Sequence, residues 1–225
     1  MGESEVMKTA VLVGATGNIG KALQDSLAHE FELDQTWLGQ KRPRISNPDA
    51  FNVLPKTVHL AIYAAGINKV QTLKETTDRD WEEVIDVNLS GAFRFARAVA
   101  QKFPKDGSGV LVFISSIMST HPYPNRLAYS SSKGAIESLT KALAVEADGK
   151  FSTFAIRLGH INALMSTTKT NPKLLDEVKR LSIDKSLSEP SEVADFITSL
   201  LPFAGLINGT TIEADRGYTS NRWPL

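Results

Sequence analysis

Thr9-Ala10-Val11-Leu12-Val13-Gly14-Ala15-Thr16-Gly17-Asn18-Ile19-Gly20 is the stretch that decides the fold. An uncharged, β-prone run leads directly into three glycines at three-residue spacing, and Lys21 to Ala28 then follows a helical pattern. Strand, tight turn and helix in that order open an α/β sheet, where glycines let the backbone approach a pyrophosphate and the helix N–H groups favour its charge. The stretch predicts dinucleotide binding by Gly14, Thr16, Gly17, Asn18, Ile19 and Gly20. The alternative is an ordinary turn that happens to hold three glycines.

Working outward, apolar runs alternate with amphipathic stretches, as in a parallel sheet covered on both faces. Strands are expected at Thr9 to Val13, Thr36 to Gly39, Val58 to Ala64, Val110 to Ile114, Phe151 to Ile156 and Thr210 to Glu213. Two long helices are expected at Asp80 to Phe103 and Asn125 to Asp148, a packed pair or a subunit face. Residues 40–57, broken by Pro43, Pro48 and Pro55, are too few for a helix, a strand and a second helix. They predict a short helix capped by Asn47 with Pro48 at its first position, and a third strand stunted or absent. The expected fold is an α/β, three-layer, doubly wound parallel sheet of Rossmann type. It forms one domain over residues 1–225, shortened after the second strand.

Composition narrows the partners. Lys plus Arg and Asp plus Glu balance at 25 each, with no run of like charge, so nothing marks a nucleic-acid or membrane surface. The chain has no cysteine, which excludes disulfides, thiol catalysis and Cys-ligated metal and fits a cytoplasmic location. Met1 to Glu5 is acidic and lacks the features of an export signal, and no run of about 18 uncharged apolar residues suggests a membrane span. No histidine pair has metal-ligand spacing; His29 and His59 read as surface or strand-end residues.

The second strand is expected to end in Gly39-Gln40-Lys41-Arg42, where an acid would normally accept the ribose hydroxyls of NAD. Lys41 or Arg42, with Gln40 beside them, would instead pair with a 2′-phosphate, so NADP(H) is preferred over NAD(H). The other reading is a solvated basic loop.

Tyr129-Ser130-Ser131-Ser132-Lys133 puts a phenol and an ammonium on one helical face. Lowering a tyrosine from near 10 toward neutrality needs about 4 kcal/mol, and a cation about 4 Å away supplies about that much. Lys133 is the expected cation. Thirteen positions before Tyr129, the run Val110 to Ile114 ends in Ser115-Ser116, at the strand edge where such sheets gather ligands.

With these pieces in place the chain resembles the short-chain dehydrogenase/reductase family over nearly its full length. The resemblance rests on Gly14 to Gly20, Ala65-Gly66, Trp81 with Asp86 to Gly91, Ile114-Ser115-Ser116, Tyr129 with Lys133, and Asp215 to Tyr218. It implies a homodimer or homotetramer that moves hydride between a nicotinamide cofactor and a carbonyl or alcohol. It also implies Tyr129 as general acid and base, Lys133 tuning it and holding the nicotinamide ribose, Ser116 polarising the carbonyl, and Asn88 holding a water that links Lys133 to solvent. Ala65, Gly66, Gly159 and the backbone of Ile161 would border the cofactor. Residues 160–187 would cover the substrate, and His121 and His160 would line its pocket.

Three departures stand out. Asn18 replaces a glycine and gives the spacing GxxGxxG, typical of relatives that act on nucleotide sugars; Tyr63-Ala64 replaces two amides that brace the sheet; and Leu158 replaces a proline. They keep two alternatives open: a sugar-nucleotide epimerase or dehydratase, and a silent nicotinamide-sensing protein. Trp37, Trp81, Trp223, Phe93, Phe95 and Phe103 read as packing residues.

Overall fold

The computed structural model describes residues 7–34, 45, 47, 49–162 and 172–221. In chain order its main elements are β1 (Lys8–Val13), α1 (Asn18–Leu27), β2 (Phe31–Leu33), β3 (Leu60–Tyr63), α2 (Asp78–Ile85), a π-helical turn (Asp86–Ser90) and α3 (Gly91–Val99). There follow β4 (Gly109–Ser116), α4 (Leu127–Ala147), β5 (Phe151–Leu158), α5 (Pro172–Leu181), α6 (Pro190–Leu200) and β6 (Thr211–Ala214). The strands form one six-stranded sheet in the order β2-β1-β3-β4-β5-β6, and every pairing is parallel.

Period-two alternation along these buried strands builds the layers. Val11, Val13, Ala61, Tyr63, Leu111 and Phe113 face one core, shared with Phe95, Ala96 and Val99 of α3 and Ile136 of α4. Their neighbours Ala10, Leu12, Leu60, Ile62, Val112 and Ile114 face the other, shared with Leu23 and Leu27 of α1 and Val193, Ala194 and Ile197 of α6. The fold is therefore the expected three-layer, doubly wound sheet.

Three elements differ in detail. The second strand is Phe31–Leu33, with Lys8 opposite Phe31, whereas Thr36 to Gly39 lies outside the described residues. Glu30 and Glu32 hide this strand in the sequence, yet Phe31 is buried in the core. Next, Asn47 caps a turn, not a helix: its Oδ1 accepts from Asp49 N at 3.0 Å, and i→i+3 bonds follow from Ala50 N to Asn47 O and Asn52 N to Asp49 O. Ala50, Phe51 and Leu54 are buried, so turn residues fill the core where a helix was expected. Pro48 lies outside the described residues, among which no strand occurs between Leu33 and Leu60. Finally, the helix expected from Asp80 to Phe103 starts earlier, because Thr77 Oγ1 caps Asp80 N, and it is interrupted by the π-helical turn. Phe95 and Phe103 are core residues, whereas Trp81 and Phe93 are exposed, which leaves Phe93 only the subunit-packing part of its expected role. Trp37 and Trp223 lie outside the described residues.

Candidate active site

β1 and β3 are neighbours whose following helices cross to opposite faces, which opens a crevice beyond their carboxyl ends. A cavity of about 320 Å³ occupies it, bordered by Gly14 and Gly17 to Gly20 on one side and by Ser116, Tyr129 and Lys133 on the other. Gly14 turns with φ +94°, and a Cβ there would lie 2.5 Å from Ala65 N. Gly17 caps α1 without a side chain, leaving the first-turn N–H groups for a ligand. Both features fit a dinucleotide pyrophosphate. Gly66, Gly159 and Ile161 also border the cavity. Ala65 backs Gly14, and Thr16 is exposed within the glycine turn. Gln40, Lys41 and Arg42 lie outside the described residues.

The backbone of Ile161 is pre-set for a ligand. Ser188 N donates to His160 O at 3.0 Å and Asn162 N to Ser188 O at 2.9 Å, a parallel bridge that turns the N–H and C=O of Ile161 to the opposite side.

β4 delivers Ser116 to the cavity, and α4 delivers Tyr129 and Lys133 one turn apart. Ser116 and Tyr129 border the cavity together, and the Ser116 hydroxyl also accepts from Met118 N at 3.3 Å. Lys133 Nζ lies 5.5 Å from the Tyr129 ring centroid and donates to Ile114 O at 2.7 Å. Burial raises the Tyr129 phenol, against the lowering by the Ser116 hydroxyl and the charge of Arg126. Burial also lowers Lys133 to about 8. Lys133 Nζ thus stands over the Tyr129 ring while bonded to a carbonyl, and the charge of Arg126 also lowers the phenol.

Asn88 is 1 % exposed, inside the π-helical turn. Its Oδ1 accepts from Ile67 N at 2.8 Å, and its Nδ2 donates to Ile67 O at 3.0 Å and Ser132 Oγ at 2.9 Å. These bonds fasten α4 and the Ile67 peptide around the Asn88 side chain. It still stands beside Lys133: a Cβ at Gly66 would meet Asn88 Oδ1 at 3.5 Å and Lys133 Nζ at 3.6 Å.

A second polar network sets α4 against the sheet. Glu137 Oε1 accepts from Ser115 Oγ at 2.7 Å, Ser119 Oγ at 2.6 Å and Arg157 Nε at 2.9 Å, and Arg157 Nη1 reaches Glu213 Oε2 at 2.7 Å. Burial pushes the Glu137 carboxyl up, but bonds from Arg157, Ser119 and Ser115 outweigh it and hold it below the usual range. Tyr63, where the family carries an amide, is buried and donates to Val87 O at 2.5 Å, bracing the turn that holds Asn88.

His160 borders the cavity, whereas His121 is exposed, bonds Thr120 Oγ1 at 3.0 Å and lies away from the cavity wall. The chain turns outward after the 3₁₀ turn Ile117–Ser119, which carries His121 to solvent. Tyr123 OH bonds His160 Nε2 at 2.8 Å and also the Tyr218 hydroxyl. Burial lowers His160 to about 4, so its imidazole is neutral near pH 7. The sequence reading did not single out Tyr123 or Arg126. Arg126 was legible, three residues before Tyr129 at helical spacing; Tyr123 lies in a segment without periodicity. Among the described residues no His, Asp and Glu cluster could hold a metal, and no helix is long and apolar enough to cross a membrane.

A family model described as enoyl-(acyl carrier protein) reductase matches residues 51–219. Among similar proteins, cyclopentanol dehydrogenase of Comamonas sp. (strain NCIMB 9872) is 27 % identical over 88 % of this chain and 79 % of its own. Galactitol 2-dehydrogenase (L-tagatose-forming) of Cereibacter sphaeroides is 31 % identical over 72 % of this chain and 66 % of its own. The crystal structure of a short-chain dehydrogenase/reductase, glucose/ribitol dehydrogenase, from Brucella melitensis superposes with a TM-score of 0.83 at 26 % identity, covering 94 % of this chain and 96 % of that one. The chain belongs to the short-chain dehydrogenase/reductase family. It is an oxidoreductase of the class that acts on CH–OH and C=O groups.

Proposed function

We propose that the chain reversibly reduces a carbonyl to an alcohol with NADP(H), Tyr129 acting as acid in reduction and base in oxidation. The observation that carries this reading is the shared cavity: the glycine turn borders one side, and Ser116, Tyr129 and Lys133 border the other. The bound nicotinamide supplies or accepts the hydride. Ser116, on the cavity wall with Tyr129, orients the carbonyl oxygen toward the phenol that protonates it. Lys133 holds the nicotinamide ribose, the backbone of Ile161 meets the carboxamide, and Gly14 to Gly20 take the pyrophosphate. Asn88 keeps Lys133 beside the open space at Gly66, through which the proton returns to solvent. Lys41 and Arg42 select the 2′-phosphate. His160, with Tyr123, borders the substrate.

The named alcohol dehydrogenases among the relatives support the substrate class. The reading includes one domain over residues 1–225, with residues 160–187 as its substrate cover; Val178 of α5 borders the cavity. It also includes a cytoplasmic homodimer or homotetramer. The test is nicotinamide absorbance with a panel of carbonyl compounds. Tyr129→Phe should lose about 10³-fold in kcat while still binding NADPH. Full turnover in that variant would overturn the assignment. Tightly retained cofactor with no net redox change would point to the epimerase alternative.

A further inference from the structure

The cavity wall carries a one-sided charge. Among its described residues the formal charges are those of Arg126 and Lys133, both cationic, and no carboxylate borders it. Lys133 is engaged with Ile114 O, and the glycine turn serves phosphate at the opposite side. The role of Arg126 follows from how firmly it is set.

Arg126 immediately precedes α4, after Asn125 in a left-handed conformation at φ 65°. Its backbone forms a bridge with Gln71, whose N–H donates to Asn125 O at 3.1 Å. The Gln71 amide in turn donates to Asp80 Oδ2 at 3.0 Å, and Asp80 takes Lys69 Nζ at 2.6 Å. The guanidinium is thus carried on a backbone fastened to α2, half-buried, one helical turn before Tyr129. A guanidinium keeps its charge under partial burial and presents paired donors suited to a carboxylate. Across the same cavity stand Tyr123 and His160, bonded to each other and uncharged near pH 7.

From this placement we infer that Arg126 receives the carboxylate of the substrate, so that the carbonyl compound is an oxo acid and its reduced partner a hydroxy acid. The inference deepens the proposed reductase reading and rests on it. Hydride goes to the carbonyl carbon and the Tyr129 proton to its oxygen, while the carboxylate stays unchanged on Arg126.

The test compares short oxo acids with their methyl esters, using the protein loaded with whichever nicotinamide cofactor it binds. The acids should be preferred by about 30-fold in kcat/KM, a charge-assisted contact that an ester cannot make. Arg126→Met should bring the ratio near one mainly by raising KM for the acids, and Arg126→Lys should restore part of it. Equal turnover of acid and ester by the unmodified protein overturns the inference. So does an Arg126→Met variant that loses both alike with a shifted pH–rate profile, since Arg126 would then serve Tyr129 alone. If neither compound is turned over, the reductase reading fails, and thermal shift still decides the site. An oxo acid that raises the melting temperature of the unmodified protein but not of Arg126→Met supports the site; no shift in either removes it.

Discussion

The crossover from β2 to β3 and the crossover from β4 to β5 are built to different standards. The described part of the first rests on turns, with Ala50, Phe51 and Leu54 pressed into the core. The second carries the 21-residue α4, tied to the sheet by Lys133 on Ile114 O and by Glu137 gathering Ser115, Ser119 and Arg157. The contrast follows from what each must place. Charge and backbone N–H groups tolerate loose positioning of a long cofactor, whereas proton transfer needs groups held within hydrogen-bond reach.

The comparison can be broken first at the glycine turn. Gly14→Val sets a side chain against Ala65 N at a φ that β-branched residues avoid, and should weaken NADPH binding at least about 100-fold in a fluorescence titration. Gly17→Ala, whose Cβ would meet Gly14 O at 3.3 Å, should cost far less. At the first crossover, Lys41→Ala with Arg42→Ala should weaken NADPH by about tenfold and NADH by less than about threefold. Equal losses would show that the two bases do not read the 2′-phosphate.

At the second crossover, Glu137→Gln should lower unfolding free energy by about 2 kcal/mol in urea, because it strips a partly buried partner from Arg157. The Glu137 pKa is depressed on folding, so its contribution is present above the usual carboxylate range and is lost as pH falls through the folded value. Glu137→Gln should therefore flatten the acid limb of the stability curve. The last effect, a dependence on pH, belongs to His160. Its folded pKa of about 4 lies below the ordinary 6.5, so the unfolded chain takes the proton first and stability declines as pH falls from about 6.5 to 4. In His160→Gln that decline should disappear from a pH series of melting temperatures.

Much of this arrangement was legible in the sequence. The glycine turn, the apolar strands and the spacing of Tyr129 to Lys133 are local patterns, and each landed within a residue or a few of its expected place. What was not legible depends on distant partners. Phe31-Glu32-Leu33 looks too acidic for a strand until Lys8 to Ala10 lies alongside. Ammonium and phenol stand side by side as their spacing implied, but Lys133 also reaches the Ile114 carbonyl, a contact no spacing rule announces. His121 and His160 were alike in sequence context, and only the turn after β4 separates them. Tyr123 and Tyr218 meet across 95 positions.

The Tyr63 phenol that braces Val87 has one further consequence for how this chain can vary. A Cβ on Gly91 would fall 2.3 Å from Tyr63 Oη and 2.4 Å from the Ile45 Cγ2 methyl. The ring therefore fits because the backbone opposite it carries no side chain. Gly91→Ala should be poorly tolerated alone and better tolerated once Tyr63→Phe has removed the hydroxyl, a double-mutant cost well short of the sum.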